Sequence, residues 1–290
     1  SRFSWTVTLP PGKHQLVAKA LSAKSAGLSD DLEVEYAKER AELPRLFVLA
    51  IGISAYQRED LRRAFPAKDA QAIAAEFAKA DTSAFSEVQV HLLQDQQVTR
   101  LELTNQFEWL QQNMTANDVC CIYLGGRGER DAEGTLYLQH QESRPGDAAA
   151  GLSEKHLANY LQKTPGKLLL MLDVIDHSGN QTGNAAIDSR SLSDFVRLLD
   201  SDEYGVSVIS AVGGRELPRD MSAGGHSAFA QAILNGLSGK ADTNSDGAID
   251  NKELGQFVRA NVKSLTNDGQ RPVVSHPSLV EKFSVFRLPR

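Results

Sequence analysis

Five short apolar runs, at 46–53, 88–93, 119–124, 168–174 and 206–209, constrain the fold of this 290-residue chain more than any other feature. Each is nearly continuous in aliphatic residues rather than alternating apolar with polar. Strands buried on both faces have this texture, which belongs to a parallel sheet covered by helices on each side. The intervening segments supply those helices. Ala70, Ile73, Ala74 and Phe77 form one apolar stripe at helical spacing. Leu103, Phe107, Leu110 and Met114 form a second, opened by the Thr99/Glu102 capping-box pattern. Leu192, Phe195, Val196 and Leu199 form a third. Alternating strand and helix predicts a layered, mostly parallel α/β sheet with right-handed crossovers.

The first 40 residues differ. Phe3, Trp5, Val7 and Leu9 alternate with polar residues, a second apolar stretch covers 16–21, and Leu32, Val34 and Tyr36 alternate again. Three antiparallel strands are too few to close a sandwich. The segment 1–40 is therefore expected to be part of an Ig-like β-sandwich, joined by a charged linker to an α/β domain over 45–290. The chain opens on Ser1 and Arg2 without a leader pattern, and is expected to be part of a larger multidomain protein.

Composition narrows the function. With 31 basic against 37 acidic residues the net charge is −6, so no nucleic-acid partner is expected. No apolar run approaches the ~18 residues of a membrane span, so no membrane partner is expected either. The two cysteines, Cys120 and Cys121, are adjacent inside an apolar run and read as buried reduced thiols rather than a disulfide framework. Free thiols and the absent leader point to the cytoplasm.

In an open parallel sheet, ligands bind beyond the carboxyl ends of the strands. The third run leads into Gly125-Gly126-Arg127-Gly128, where glycines on both sides of Arg127 suggest a tight turn that exposes its side chain. The fourth leads into Asp173-Val174-Ile175-Asp176-His177-Ser178-Gly179. With Leu49-Ala50-Ile51-Gly52-Ile53-Ser54-Ala55-Tyr56 and Lys68-Asp69-Ala70, these segments resemble, in order and spacing over about 45–290, the caspase-like cysteine peptidases, including the metacaspase and orthocaspase types of microbes. The resemblance places Arg127 where the family has the histidine of Gly-His-Gly. It places Asp176 or Ile175, depending on register, where the family has its cysteine. Asp173 resembles the family acid that lines a pocket for basic side chains, against a plain structural role.

The family's chemistry needs a thiolate nucleophile and a histidine that accepts and delivers protons. Neither register supplies the thiol, and arginine stays protonated near neutral pH. The dyad positions Arg127 and Asp176 are therefore read as degenerate, with no catalytic residue assigned. Their opposite charges suggest an ion pair across a closed mouth. Consecutive Asp176, His177 and Ser178 cannot aim at one another as a triad requires. His226, in a Gly-rich loop before a helix, reads as a surface or capping residue.

A second motif, 242–253, satisfies the twelve-residue EF-hand loop. Asp242, Asn244 and Asp246 offer side-chain oxygens, Ala248 its carbonyl, Asp250 a water-mediated contact and Glu253 two oxygens, while Gly247 allows the sharp turn. Hard oxygen ligands at this spacing suit calcium. A lone loop favours a stabilising staple over a switch. The function expected is that of a catalytically inactive caspase-like domain that binds calcium and engages a protein or peptide partner as a scaffold or regulator. The alternatives are an active cysteine endopeptidase preferring basic side chains, or a purely structural unit.

Overall fold

The computed structural model describes residues 12–22, 25–36, 42–144, 147–176, 192–199, 204–211, 220–221, 225–278 and 280–289. The chain forms two units, Ser1–Leu43 and Pro44–Arg290.

In the first unit, β1 (Gly12–Leu16) pairs antiparallel with β4 (Leu32–Tyr36), and β2 (Lys19–Leu21) pairs with β3 (Ala26–Leu28). Among the unit's residues whose burial is described, all are at least partly exposed. The strand β3 falls between the apolar stretch 16–21 and the alternating Leu32, Val34 and Tyr36, and the Ser22 N–H donates to the Ser25 carbonyl at 2.8 Å. The strand expected at 3–9 lies outside the described residues.

The second unit is the layered sheet. Its elements in order are β5 (Arg45–Gly52), α1 (Pro66–Phe77), β6 (Glu87–Gln94), α2 (Arg100–Asn113), β7 (Val119–Arg130), β8 (Leu136–Leu138), β9 (Leu152–Ser153), α3 (Glu154–Lys163) and β10 (Lys167–Asp176). Then follow α4 (Leu192–Leu199), β11 (Val206–Ser210), β12 (Asp220–Met221), β13 (His226–Ser227), α5 (Ala228–Asn235), β14 (Ala248–Asp250), α6 (Asn251–Leu265), β15 (Val273–Ser275) and β16 (Ser284–Arg287). The sheet runs β15-β11-β10-β7-β5-β6. All its neighbours are parallel except β15, and β8 and β9 are added antiparallel beside β7.

The continuous apolar runs hide a period of two. Phe47, Leu49, Ile51, Cys120, Ile122, Leu168, Leu170 and Leu172 join the helices α2, α3 and α4 in one core. Their sequence neighbours Leu46, Val48, Ala50, Cys121, Tyr123, Leu169 and Met171 join α1, α5 and α6 in the other. Each strand thus feeds alternate side chains to two apolar layers, and no position needs a polar residue. Thr99 caps α2 by accepting from the Glu102 backbone N–H at 3.1 Å.

One expectation needs correction. The segment Gly125-Gly126-Arg127-Gly128 is not a tight turn but the continuation of β7, in register with β10 as far as Gly128 opposite Asp176. Positive φ is not why glycine stands there, since none of these glycines has it. They stand where other groups come close. A Cβ on Gly126 would lie 2.6 Å from the Tyr56 hydroxyl oxygen, and one on Gly125 2.9 Å from that of Tyr123.

Candidate functional site

The carboxyl ends of β7 and β10 form the mouth in which the dyad positions meet. The ladder sets Arg127 opposite Ile175 and Gly128 opposite Asp176. Directly paired residues share a face of a sheet and their sequence neighbours take the other. Arg127, Ile175 and Asp173 therefore follow Tyr123 and Met171 onto the α1/α5 side, and Asp176 follows Leu172 and Val174 onto the α2/α3 side. This parity overturns the ion pair expected between Arg127 and Asp176. The carboxylate of Asp176 takes Arg130, two residues beyond Gly128 on its own face, at 2.5 Å from Nε. The Arg127 Nε donates to the Leu61 carbonyl at 3.2 Å, and its backbone N–H donates to the Tyr56 hydroxyl at 2.8 Å. Tyr56 is buried, and that burial raises its pKa. Residues 177–179, the remainder of the motif, lie outside the described residues.

The loop after β5 is bolted over this mouth. Arg58, whose side chain is 6% exposed, bridges Asp60 (2.5 Å) and Glu129 near the end of β7 (2.6 Å). Five residues on, Arg63 reaches deeper. Its Nη1 donates to the carbonyls of Asp173 (2.9 Å) and Gly126 (3.2 Å), and its Nη2 to the Asp173 carboxylate at 3.4 Å.

Asp173, the pocket candidate, is fully buried. Its second carboxylate oxygen faces the buried Tyr123 hydroxyl at 3.5 Å. An incoming basic side chain would have to displace Arg63 to reach it.

A second buried carboxylate lies beside this pair. Asp69, in the first turn of α1, accepts from the Ser227 backbone N–H (3.2 Å) and binds His226 Nδ1 at 2.7 Å. Burial, reinforced by the negative charge of Asp173, raises the Asp69 pKa to about 6 against the pull of His226. His226 is thus neither a free surface residue nor a cap. It sits in β13, locked to α1, and it is Ser227 that caps α5 by accepting from the Ala230 N–H at 3.1 Å. The sequence reading missed Tyr56, Arg63 and Asp69 as a polar set. The one signal available was an apolar-periodic helix opening on a charged Lys68-Asp69 pair.

Both cysteines are fully buried within β7, one in each core, and burial pushes both thiols far from ionisation. Because only the thiolate is nucleophilic, neither has reactive character.

The 242–253 loop has the backbone its sequence calls for. Ser245 and Gly247 take positive φ, +59° and +77°. Asp242 accepts from the N–H groups of Asp246 (3.2 Å) and Gly247 (2.9 Å), and Asn244 from Asp246 (2.8 Å). Glu253 accepts from the N–H groups of Thr243 (3.2 Å) and Asp250 (3.1 Å), tying the two ends of the loop together. Asp250 caps α6. The strand β14, with Ala248 and Ile249, pairs antiparallel with β16 near the C-terminus. The hard-oxygen donor set and the turn geometry fit calcium. Among the described residues, however, no three Asp, Glu, His or Cys side chains converge tightly enough to hold a metal, and the Asp242 and Glu253 carboxylates accept from the loop's own N–H groups.

Among known proteins, the model of a family described as the caspase domain matches residues 45–284. No curated protein matches. The crystal structure of protein GSU0716 from Geobacter sulfurreducens is similar in fold. It has a TM-score of 0.59 at 14% identity, over 82% of this chain and 95% of that one.

Proposed function

From the premise that this chain belongs to the caspase-domain family, we propose that it is a catalytically inert member, of the microbial metacaspase or orthocaspase type. It binds calcium at 242–253 and acts as a protein- or peptide-binding scaffold or regulator. One observation carries the inert reading. The chain has two cysteines, and both are buried inside β7 with their pKa raised, away from the mouth where Arg127 and Ile175 face one another. A cysteine peptidase needs a thiolate at that mouth and a base beside it. Arginine cannot act as that base near neutral pH, and isoleucine offers no nucleophile. The Arg63–Asp173 pair supports the same reading, since it fills from within the position a basic substrate side chain would take.

The calcium reading rests on the donor set of Asp242, Asn244, Asp246, the Ala248 carbonyl, Asp250 and Glu253. Bound calcium would supply a fixed positive charge that draws these oxygens inward and braces β14 and α6.

The test of inertness is turnover. A panel of fluorogenic peptides with basic, acidic and apolar side chains before the scissile bond, incubated with the chain and calcium, is expected to stay uncleaved. Cleavage that a thiol alkylator stops would overturn the reading. Since β7 and β10 pair Arg127 with Ile175, an Arg127→His/Ile175→Cys chain is expected to regain activity before Arg127→His/Asp176→Cys does.

A further inference from the structure

We propose that the outer edge of β6 is a docking site for an extended, basic peptide segment of another protein, which adds to the sheet as a further strand. The site is separated from β7 and the mouth by β5, and does not depend on whether the mouth is active.

At about 3.3 Å per residue, the eight residues of β6 span roughly 26 Å. Among the described residues, β6 pairs only with β5. Within the strand, from Val88 to Leu93, the backbone makes no hydrogen bond apart from those of that ladder, so half of its N–H and C=O groups face outward unmet. Folded proteins normally blunt such an edge with lysine, proline, a bulge or a covering element. The strand Glu-Val-Gln-Val-His-Leu-Leu-Gln contains neither lysine nor proline, and its register with β5 is unbroken from Glu87 to Gln94. The far side of the sheet is different, because there the edge is formed by the three-residue antiparallel β15.

A groove of about 570 Å³ runs along this edge, between β6 and the start of α2. Its walls include His91, Gln97, Thr99, Glu102 and Gln106. His91 is held rigid, stacked on Trp109 at 3.8 Å between ring centroids and bonded through Nδ1 to Gln106 at 2.7 Å. Alternate residues of an added strand would lie over this polar wall, and the others beside the partly buried Val88, Val90 and Leu92.

Charge selects the occupant. Over 79–102 the acids Asp81, Glu87, Asp95 and Glu102 outnumber the bases Lys79 and Arg100, neither base lies within β6, and Glu102 is the charged residue in the groove wall. A second copy of the chain pairing antiparallel through β6 would set Glu87 near Asp95 at each end, a like-charge clash. A segment alternating lysine or arginine with apolar residues meets the same edge with opposite charge.

Fluorescence anisotropy of a labelled, end-capped octapeptide alternating lysine and valine, titrated with the full chain, tests this. Saturable binding is expected, at least tenfold tighter than that of the same peptide with glutamate for lysine. N-methylation of the peptide at alternate residues along its bonding edge is expected to weaken binding at least tenfold. Gln89→Lys, which blunts the edge, should do the same with the circular dichroism spectrum unchanged. Glu102→Gln, a milder change, should weaken binding about threefold and flatten its salt dependence. Amide hydrogen exchange should slow within 88–93 on binding. Equal affinity for the acidic or the N-methylated peptide, or protection appearing only elsewhere, would overturn the proposal. So would a concentration-dependent dimer that Gln89→Lys dissolves, since the occupant would then be a second copy.

Discussion

Arg63 carries more of this molecule than its place in a surface-rich loop suggests. It neutralises Asp173, which lies fully buried 110 residues further on, and holds the carbonyls of two strands together. Removing one partner of a buried pair leaves an uncompensated charge, at about 3–5 kcal/mol. Arg63→Ala is therefore expected to lower the urea midpoint sharply. Arg63→Met with Asp173→Leu should recover most of that loss, because no charge is then left behind. Asp69 gives a pH signature. Its folded pKa of about 6 stands above the unfolded 3.8, so the folded chain still holds a proton that the unfolded chain has released. Its contribution to stability therefore falls as pH rises from about 4 to about 6, by on the order of 3 kcal/mol, and is level above that. Asp69→Asn should remove this slope from a series of melting curves. Identical slopes in both proteins would show that the carboxyl is not the titrating group. At this scale the sequence was partly legible. It pointed to Arg127 through the glycines on either side of it, and to Asp173 and Asp176 through their place at a strand end and their resemblance to a family motif. Their partners Arg63, Tyr56 and Arg130 were not visible, since those contacts arise from a loop folding back and from which face of a strand each side chain takes.

Elements were more legible than side chains, and the misreadings share a cause. The apolar runs gave five strands because burial on both faces leaves a run of residues as its record. The glycines of β7 were taken for a turn, because glycine reports only that something lies close. What lies close is Tyr56, over Gly126. Gly126→Ala should therefore push aside the hydroxyl that accepts from the Arg127 N–H, at about 1–3 kcal/mol, read as a lower urea midpoint. The 242–253 loop stands out in the sequence because an EF-hand pattern fixes residue type at set positions within twelve residues, and the positive φ of Ser245 and Gly247 gives it sharp turns; calcium belongs to the proposal. Calcium at 100 times its dissociation constant would stabilise the chain by about 2.7 kcal/mol. At roughly 2–4 °C per kcal/mol for a chain this size, the expected rise in melting temperature is about 5–10 °C. Glu253→Gln should abolish that rise, and a rise unaltered in this variant would place the ion elsewhere.

Across the whole molecule, the two units differ in the means they have to hold themselves together. Among the described residues, both apolar cores are built from residues at or beyond Leu46. In the first unit, Leu21 and Leu28 stand 73% and 71% exposed. Hydrophobic burial is the main favourable term in folding, and among the described residues it resides in the second unit. A chain beginning at Pro44 is therefore expected to fold alone, with its main calorimetric transition within about 2 °C of that of the full chain. The full chain should show no second cooperative transition from the first unit's described ribbons, because paired ribbons alone lack the burial that makes unfolding all-or-none. A main transition lowered by 10 °C or more on deleting residues 1–43 would overturn this expectation.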